Sequence, residues 1–380
     1  MGSKRLMLQN GLGSLIREES PNYSRFVDLF SGASFVSWFV AENIDIPVVS
    51  VDLQKYSKVL AESVLSRIDS QINKKFGNTW IDTATIDCMN SKLWIEAIKL
   101  EGKRFTISFV DECRKLCKKK STIGPIWNAY GGHYFSPSQA LLIDYLLKHL
   151  PKDKNEKNVC LAALIITASK CVASPGHTAQ PFQPTKTARK YLEEAWNKNI
   201  YIILKNELNE LLVKHSNKLG SAIVSDAYIF AKKLNETDLV FIDPPYSGVQ
   251  YSRFYHVLET IARGKIESKV EGIGRYPSIE ERPQSKFSNV GESVNAFDKL
   301  LERISKQKST VIVTFPSGKA SNGLSGKEVE TISKKWFRVD RKKIKSKFST
   351  LGGNNKNRDA RKETGELILL LKPKVVTSKK

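Results

Sequence analysis

Asp243, Pro244, Pro245 and Tyr246 stand together directly after the apolar run Leu239-Val240-Phe241-Ile242. The run fits a buried parallel strand, and it ends in a carboxylate, two prolines and an aromatic ring. Proline fixes φ and carries no amide donor, so the turn is stiff and the Pro244 carbonyl stays able to accept a hydrogen bond. A carboxylate, a carbonyl and a ring face held rigidly suit a planar base bearing an exocyclic amino group. Asp243 and the Pro244 carbonyl would accept the two amino hydrogens, and Tyr246 would stack on the ring. A strand-to-loop turn whose aspartate caps a helix is the plain alternative for the tetrapeptide alone.

Three other aspartates close strand-like runs. Asp28 lies in Arg25-Phe26-Val27-Asp28-Leu29-Phe30, Asp52 follows Pro47-Val48-Val49-Ser50-Val51, and Asp226 ends Ala222-Ile223-Val224-Ser225. After the first run come Ser31-Gly32-Ala33-Ser34, small residues that let a ligand approach the backbone beside a helix N-terminus. One glycine where dinucleotide-binding turns have three also fits an ordinary tight turn. A carboxylate at Asp52 suits the two hydroxyls of a ribose, and one at Asp226 suits the amino group of an adenine. Each aspartate taken alone equally fits a helix cap. Four carboxylates at four strand ends converge on the carboxyl edge, where open α/β sheets bind ligands.

The elements that position these residues follow a β-α-β-α rhythm at the start of the chain. A helix-like stretch covers 35–43, and residues 53–75 carry an apolar stripe of Val59, Leu60, Val64, Leu65 and Ile68. From about Phe76 to Leu219 the rhythm breaks into helix-prone segments (137–150, 159–172, 186–215) and loops rich in Gly, Pro, His and aromatics. It resumes at Ala222, continues through the strand before Asp243, and reaches a further strand at Thr310–Phe315. The end reads as a hairpin: 337–349, a loop from Thr350 to Glu363, then Leu367 to Leu371. The expected fold is α/β, a doubly wound Rossmann-like sheet with an inserted, mainly helical subdomain and a C-terminal β-hairpin. The expected domains are 1–75 with 220–372 for the sheet, 76–219 for the insertion, and a basic tail at 373–380.

A chain of 380 residues, 41% hydrophobic and 26% charged, has the composition of a globular protein rather than a disordered one. Its net charge of +22 favours a polyanionic partner, nucleic acid first. No long apolar stretch or N-terminal signal core is present, so a cytoplasmic location and no membrane partner are expected. Five scattered cysteines form no disulfide framework. Cys113 and Cys117 share helical spacing but lack a second ligand pair, so no metal site is expected.

The set Phe26 to Ser34, Val51-Asp52, Ser225-Asp226-Ala227 and Asp243-Pro244-Pro245-Tyr246 resembles the S-adenosylmethionine-dependent DNA adenine-N6 methyltransferases of the Dam-like group. That family also carries a helical insertion between its second strand and its later motifs. The resemblance covers roughly 8–75 and 220–372, and the insertion matches only loosely. It implies S-adenosylmethionine held by Asp28, Phe30, Ser31, Gly32, Asp52, Asp226 and Asp243, with no metal. Asp243, Pro244, Pro245 and Tyr246 become the catalytic residues, acting on a flipped adenine in double-stranded DNA. Accepting bonds from Asp243 and the Pro244 carbonyl would localise the amino lone pair for direct in-line attack on the methyl group.

The same resemblance makes Arg253, Lys356 and Arg358 candidate DNA contacts, the last two within the glycine-rich Gly352–Arg358 loop. Ser247 to His256 reads as a groove wall beside the substrate, where Phe254 and Tyr255 equally fit helix packing. His256 and Glu259, at i,i+3, read as a surface or packing pair rather than a ligand pair. The loops Tyr130–Phe135 and Pro175-Gly176-His177 are candidate pocket walls or DNA contacts. The chain departs from the family twice. Ser34 stands near the usual second glycine of the first motif. The glycine-lysine of the N-terminal cofactor motif is missing from Asn10-Gly11-Leu12-Gly13-Ser14-Leu15. Three alternatives stay open: the same chemistry on RNA adenine, the same chemistry on the N4 of cytosine, and an inactive nucleic-acid-binding relative. A cognate nuclease or defence-system partner and the oligomeric state also stay open.

Overall fold

The computed structural model describes residues 3–69, 74–119, 121–344 and 366–374. The chain divides into two compact units, Met1–Ile68 with His215–Tyr251 and Gln284–Lys380, and Asp69–Lys214 with Ser252–Pro283.

The first unit holds seven strands: β1 Arg25–Asp28, β2 Val48–Asp52, β3 Ser221–Val224, β4 Asp238–Ile242, β5 Thr310–Pro316, β6 Phe337–Ile344 and β7 Glu366–Pro373. Their order across the sheet is β3-β2-β1-β4-β5-β7-β6. β1 to β5 run parallel, and β7 lies antiparallel between β5 and β6. This is the expected doubly wound sheet closed by a hairpin. Its loop falls at 345–365, outside the described residues. Strand order reverses between β1 and β4, the switch point where such sheets open a crevice at their carboxyl ends.

Apolar β-branched residues build the parallel strands because both sheet faces are covered. Val49, Val27, Val240, Val311 and Leu371 lie in register across five neighbouring strands. They belong to a buried core with Phe297, Leu300, Leu301, Ile304 and Val329, which come from the helices Ser293–Lys306 and Gly326–Trp336. At the amino end of the switch point, Arg25 grips Asp238 with a two-pronged ion pair, Nε to Oδ1 at 2.7 Å and Nη2 to Oδ2 at 2.6 Å. These two residues are also register partners, so the pair pins β1 against β4.

The stripe expected over 53–75 is shorter in the structure. The helix spans Lys55–Leu65, with Val59, Leu60, Val64 and Leu65 buried, and Ile68 lies beyond its end at 55% exposure.

The second unit is helical. Trp127, Tyr130, Tyr134 and Phe135 are fully buried in it. It also takes in Ser252–Pro283, which the sequence reading grouped with the sheet. The cause is packing: Val257, Leu258 and Ile261 are buried, Thr260 Oγ1 lies 3.0 Å from the Tyr130 hydroxyl, and the Tyr134 hydroxyl donates to the Gly274 carbonyl at 2.9 Å.

The turn after β1 stores strain at one place. Ser34 adopts φ 63° and ψ 15° and precedes the helix Phe35–Asn43. A left-handed non-glycine residue costs roughly 1–2 kcal/mol, here partly offset by a Ser34 Oγ bond to the Ser57 carbonyl at 3.3 Å. Ser34→Gly is expected to hold or raise the thermal midpoint by up to a few degrees. Ser34→Val is expected to lower it, since a β-branched residue tolerates this conformation worst. Thermal unfolding followed by circular dichroism compares the two.

Candidate active site

The carboxyl edge of the sheet gathers the four aspartates, each held by different partners. Behind β1 the backbone is tied to its neighbours: the Leu29 amide donates to the Phe241 carbonyl and the Ser31 amide to the Val51 carbonyl, both at 3.1 Å. Gly32 then turns at φ 48°, and a Cβ built there would meet nothing nearer than the Phe30 carbonyl at 4.0 Å. Glycine is therefore favoured by the backbone angle rather than by crowding, and the space before the turn is open. Asp52 closes the arrangement from β2. Its Oδ2 accepts from the Gly32 amide and its Oδ1 from the Gln54 amide, both at 2.9 Å. Phe30 lies alongside with its ring edge-on to Phe287 at 5.0 Å.

Asp28 is placed differently. It is 1% exposed, and its Oδ2 accepts from the Ser37 hydroxyl at 2.8 Å. Burial pushes its carboxyl up to about 7, against the lowering effect of the Ser37 and Phe30 hydrogen bonds, with Asp243 and Asp52 adding to the rise. It is a buried strut of the turn. Asp226 caps the short helix Ala227–Phe230: its Oδ1 accepts from the Tyr228 and Ile229 amides at 2.8 and 3.1 Å. The cap uses one oxygen and aims the carboxylate over the end of β3.

Asp243 follows β4. Its Oδ1 takes an ion pair from Lys4 Nζ at 2.7 Å and a hydrogen bond from the Thr314 hydroxyl at 2.9 Å. Thr314 sits on β5, and the same Lys4 reaches it at 3.3 Å. Glu366, at the start of β7, lies 3.9 Å from Lys4 Nζ. Burial alone would lower the Lys4 ammonium, but the Asp243 and Glu366 carboxylates outweigh it and hold its pKa above the ordinary lysine value. Glu366 in turn is pushed up to about 7 by burial, with Lys4 countering and Asp243 reinforcing the rise.

Lys4 is the main residue that reading the sequence missed. At Asn10–Leu15, where the resemblance pointed to a lysine that the chain lacks, Gly11 at φ 112° kinks the chain between the helices Ser3–Met7 and Gly13–Glu19, and Lys4 belongs to the first of those helices.

The rest of the tetrapeptide is clamped from the loop after β5. Asn322, fully buried, donates its amide to the Pro245 carbonyl at 2.8 Å and to the Phe287 carbonyl at 2.9 Å. The Gly248 amide donates to Ser321 Oγ at 3.1 Å, and a Cβ at Gly248 would lie 2.7 Å from the Ser321 carbonyl. Gln250 is stitched to the Ser285 backbone in both directions, at 3.0 and 2.7 Å. Among the described residues none donates to the Pro244 carbonyl. Tyr246 is partly buried, edge-on to Tyr251 with ring centres 6.4 Å apart. The result is a fixed loop that holds a part-exposed carboxylate, the buried Pro244 and a part-exposed ring side by side.

Other candidates lie elsewhere. Arg253, in the second unit, is exposed, and its guanidinium stacks on Tyr276 at 4.6 Å. Tyr255 is buried. His256 is 2% exposed amid Tyr130, Tyr134 and Tyr276, and Glu259 pairs with Arg263 at 2.8 Å, so the two are packing residues. In the Tyr130–Phe135 loop the aromatics are core rather than pocket wall, leaving only His133 part-exposed among its ring-bearing residues. His177 packs on Phe254 with ring centres 4.9 Å apart. Lys356 and Arg358 lie outside the described residues. Among the described residues the five cysteines are free and buried, and no cluster of three metal-ligating side chains occurs. No described helix is long and apolar enough to cross a membrane.

Comparison with known proteins agrees with the resemblance seen in the sequence. Residues 151–313 match the family model of D12 class N6 adenine-specific DNA methyltransferases. Type II methyltransferase M.FokI of Planomicrobium okeanokoites is 28% identical over 207 residues, covering 53% of this chain and 29% of that protein. Modification methylase StsI of Streptococcus sanguinis is 23% identical over 386 aligned residues, covering all of this chain and 52% of the relative. Modification methylase LlaI of Lactococcus lactis subsp. lactis is 25% identical over 323 residues, 80% of this chain and 44% of its own. The chain thus spans about half or less of the length of these relatives.

Two outcomes are expected from the geometry. Asp28 has a folded pKa raised from 3.8 to about 7, so the stability its neutral form provides is complete below its unfolded pKa and is lost as pH rises toward 7. Asp28→Asn should therefore gain on the native protein between pH 4 and pH 7, by at most a few kcal/mol, and the gap should level off above that range. Urea unfolding across this pH range measures it. Asn322→Ala takes the donor from the buried Phe287 carbonyl and the part-buried Pro245 carbonyl and is expected to cost about 1–3 kcal/mol in the same assay.

Proposed function

We propose that this chain, whose residues 151–313 carry the D12 class signature, methylates the N6 amino group of adenine in DNA from S-adenosylmethionine. The observation that carries the reading is the clamped Asp243–Tyr246 loop at the switch point, with its Pro244 carbonyl unpartnered among the described residues and Asp243 oriented by Lys4 and Thr314. A charged acceptor and a neutral one, fixed side by side, match the two hydrogens of an exocyclic amino group. The likeness to modification methylases supports a role as the modifying member of a restriction–modification pair.

The turn after β1 fits the cofactor. The space before Gly32 is open, Phe30 and Ser31 border it, and Asp52 is aimed at the same turn by the Gly32 amide. Asp52 would hold the ribose hydroxyls and Asp226 the adenine amino group, while buried Asp28 keeps the turn in shape. S-adenosylmethionine supplies an electrophilic methyl group when bound. Everything else comes from the chain.

Asp243 Oδ2 and the Pro244 carbonyl accept the amino hydrogens of a flipped adenine. This draws the nitrogen toward tetrahedral geometry and localises its lone pair for in-line attack. Lys4 and Thr314 hold the opposite oxygen, so the carboxylate acts by position. Pro245 stiffens the turn, and Tyr246 stacks on the base, returning about 1–3 kcal/mol of the few lost on extrusion. Arg253, Lys356 and Arg358 would meet double-stranded DNA.

Asp243→Ala is expected to abolish methyl transfer while cofactor binding largely survives. Labelled transfer to duplex DNA, single-stranded DNA and RNA, with products resolved by mass spectrometry, measures the first; equilibrium dialysis measures the second. N6-methyladenine in DNA supports the reading. Label confined to RNA or to cytosine N4, or normal transfer by the variant, overturns it. Asn322→Ala is expected to lower turnover by about 100-fold if the loop shifts by roughly 1 Å.

A further inference from the structure

The second unit contains a cleft of about 800 Å³ lined by Arg114, Lys115, Lys118 and Arg275, with Ser121, Thr122, Asn128 and His133 around them. Asp111 is the one carboxylate in its lining. Lys118 lies four residues after Arg114 and three after Lys115, just beyond the end of the helix Ile107–Leu116 that carries the first two.

Both arginines are held in place by neutral acceptors. Arg114 donates Nε to the Gly132 carbonyl at 3.1 Å and Nη2 to the Gln183 amide oxygen at 3.2 Å. Arg275, at φ 50°, donates Nε to the Ala129 carbonyl and Nη2 to the Asn128 carbonyl, the latter at 3.3 Å. Neither pairs with a carboxylate among the described residues, and in each Nη1 has no partner among those residues. With Asp111 as the one carboxylate in the lining, four cations face one acid, and holding two part-buried guanidiniums so close together costs stability that an incoming anion would recover. His133 senses the same field: burial, with Arg275 and Arg114 beside it, pushes its imidazole down to about 3.

The placement of these arginines rests on two glycines. A Cβ on Gly132 would lie 2.9 Å from the Arg114 Cα, and one on Gly131 would lie 2.8 Å from Cys117 Sγ. The Tyr130–Phe135 loop therefore presses its backbone onto the helix that carries Arg114.

We propose that this cleft binds consecutive phosphates of the substrate's DNA backbone, without reading its sequence. Four cations and two hydroxyls with no Phe, Tyr or Trp in the lining suit a sugar–phosphate strand rather than an inserted base. The inference rests on the reading of DNA as substrate given above.

The test is the salt dependence of duplex binding by the full chain, followed by fluorescence anisotropy. Each lost phosphate contact reduces the slope of log affinity against log salt by about 0.9. Lys115→Gln with Lys118→Gln, two exposed side chains, should reduce the slope by about 1–2 on this scale, and Arg114→Gln by about 1. Lys119→Gln, a neighbour paired with Glu96, removes the same charge off the cleft and should leave the slope unchanged. Should Arg114→Gln fail to fold by circular dichroism, the lysine pair decides. Equal slopes for the lysine pair and the native protein overturn the proposal. So does displacement of the duplex by dilute inorganic phosphate at constant ionic strength, which marks a site for the free anion. If the native protein binds and methylates DNA with slopes unaltered by the variants, the cleft alone falls. If it binds no DNA, the substrate reading falls as well.

Discussion

Four carboxylates at one sheet edge repel one another, and the local structure of the first unit is arranged around containing that repulsion. Each aspartate is held in its own way. Asp28 is buried and drawn toward its neutral form. Asp52 is spanned by the Gly32 and Gln54 amides. Asp226 caps a helix. Asp243 receives a countercharge from Lys4. The differences follow from backbone geometry. Asp28, the last residue of β1, is met by the Ser37 hydroxyl from the following helix, whereas Asp243, just past the end of β4, is met by the long side chain of Lys4.

This explains why the reactive loop depends on segments far away in sequence. Two prolines stiffen Asp243–Tyr246 but cannot aim it. Aim comes from Thr314 on β5, from Asn322 in the following loop and from Lys4 in the first helix. Each reaches the loop because the strand order brings β4 and β5 together and the chain kinks at Gly11. Lys4 also faces Glu366 on β7, so the antiparallel hairpin that closes the sheet contributes to the same network.

Much of this was legible in the chain. The strand runs, the aspartates at their ends and the rigid tetrapeptide are local patterns, set by periodicity and by proline and glycine stereochemistry, and the sheet reproduces them. Ser34, noted as a departure from a glycine position, does adopt the left-handed conformation that glycine would favour. What was not legible is tertiary. Nothing near Lys4 or Asn322 in the sequence signals that their partners lie hundreds or tens of residues away. The Tyr130–Phe135 loop looked like a pocket wall because aromatics and glycines mark both pockets and tight cores. Burial decides between them, and here only His133 remains part-exposed. Ser252–Pro283 was grouped with the sheet because it follows β4 in sequence, while its apolar face packs into the helical unit.

Charge balance links the edge to the proposed chemistry. Among the described residues Asp52, Asp226 and Asp243 gather at the carboxyl ends of the strands with Lys4 paired to Asp243, a concentration of carboxylates that fits the cationic sulfonium of the proposed cofactor. The same field opposes a polyanion. A sheet edge of this sign cannot hold DNA by itself, and long-range attraction must come from residues elsewhere. The chain carries a net charge of +22, and in the helical unit two arginines and two lysines converge on one cleft with one acid among them. On the proposed reading, holding the cofactor and attracting the substrate call for fields of opposite sign.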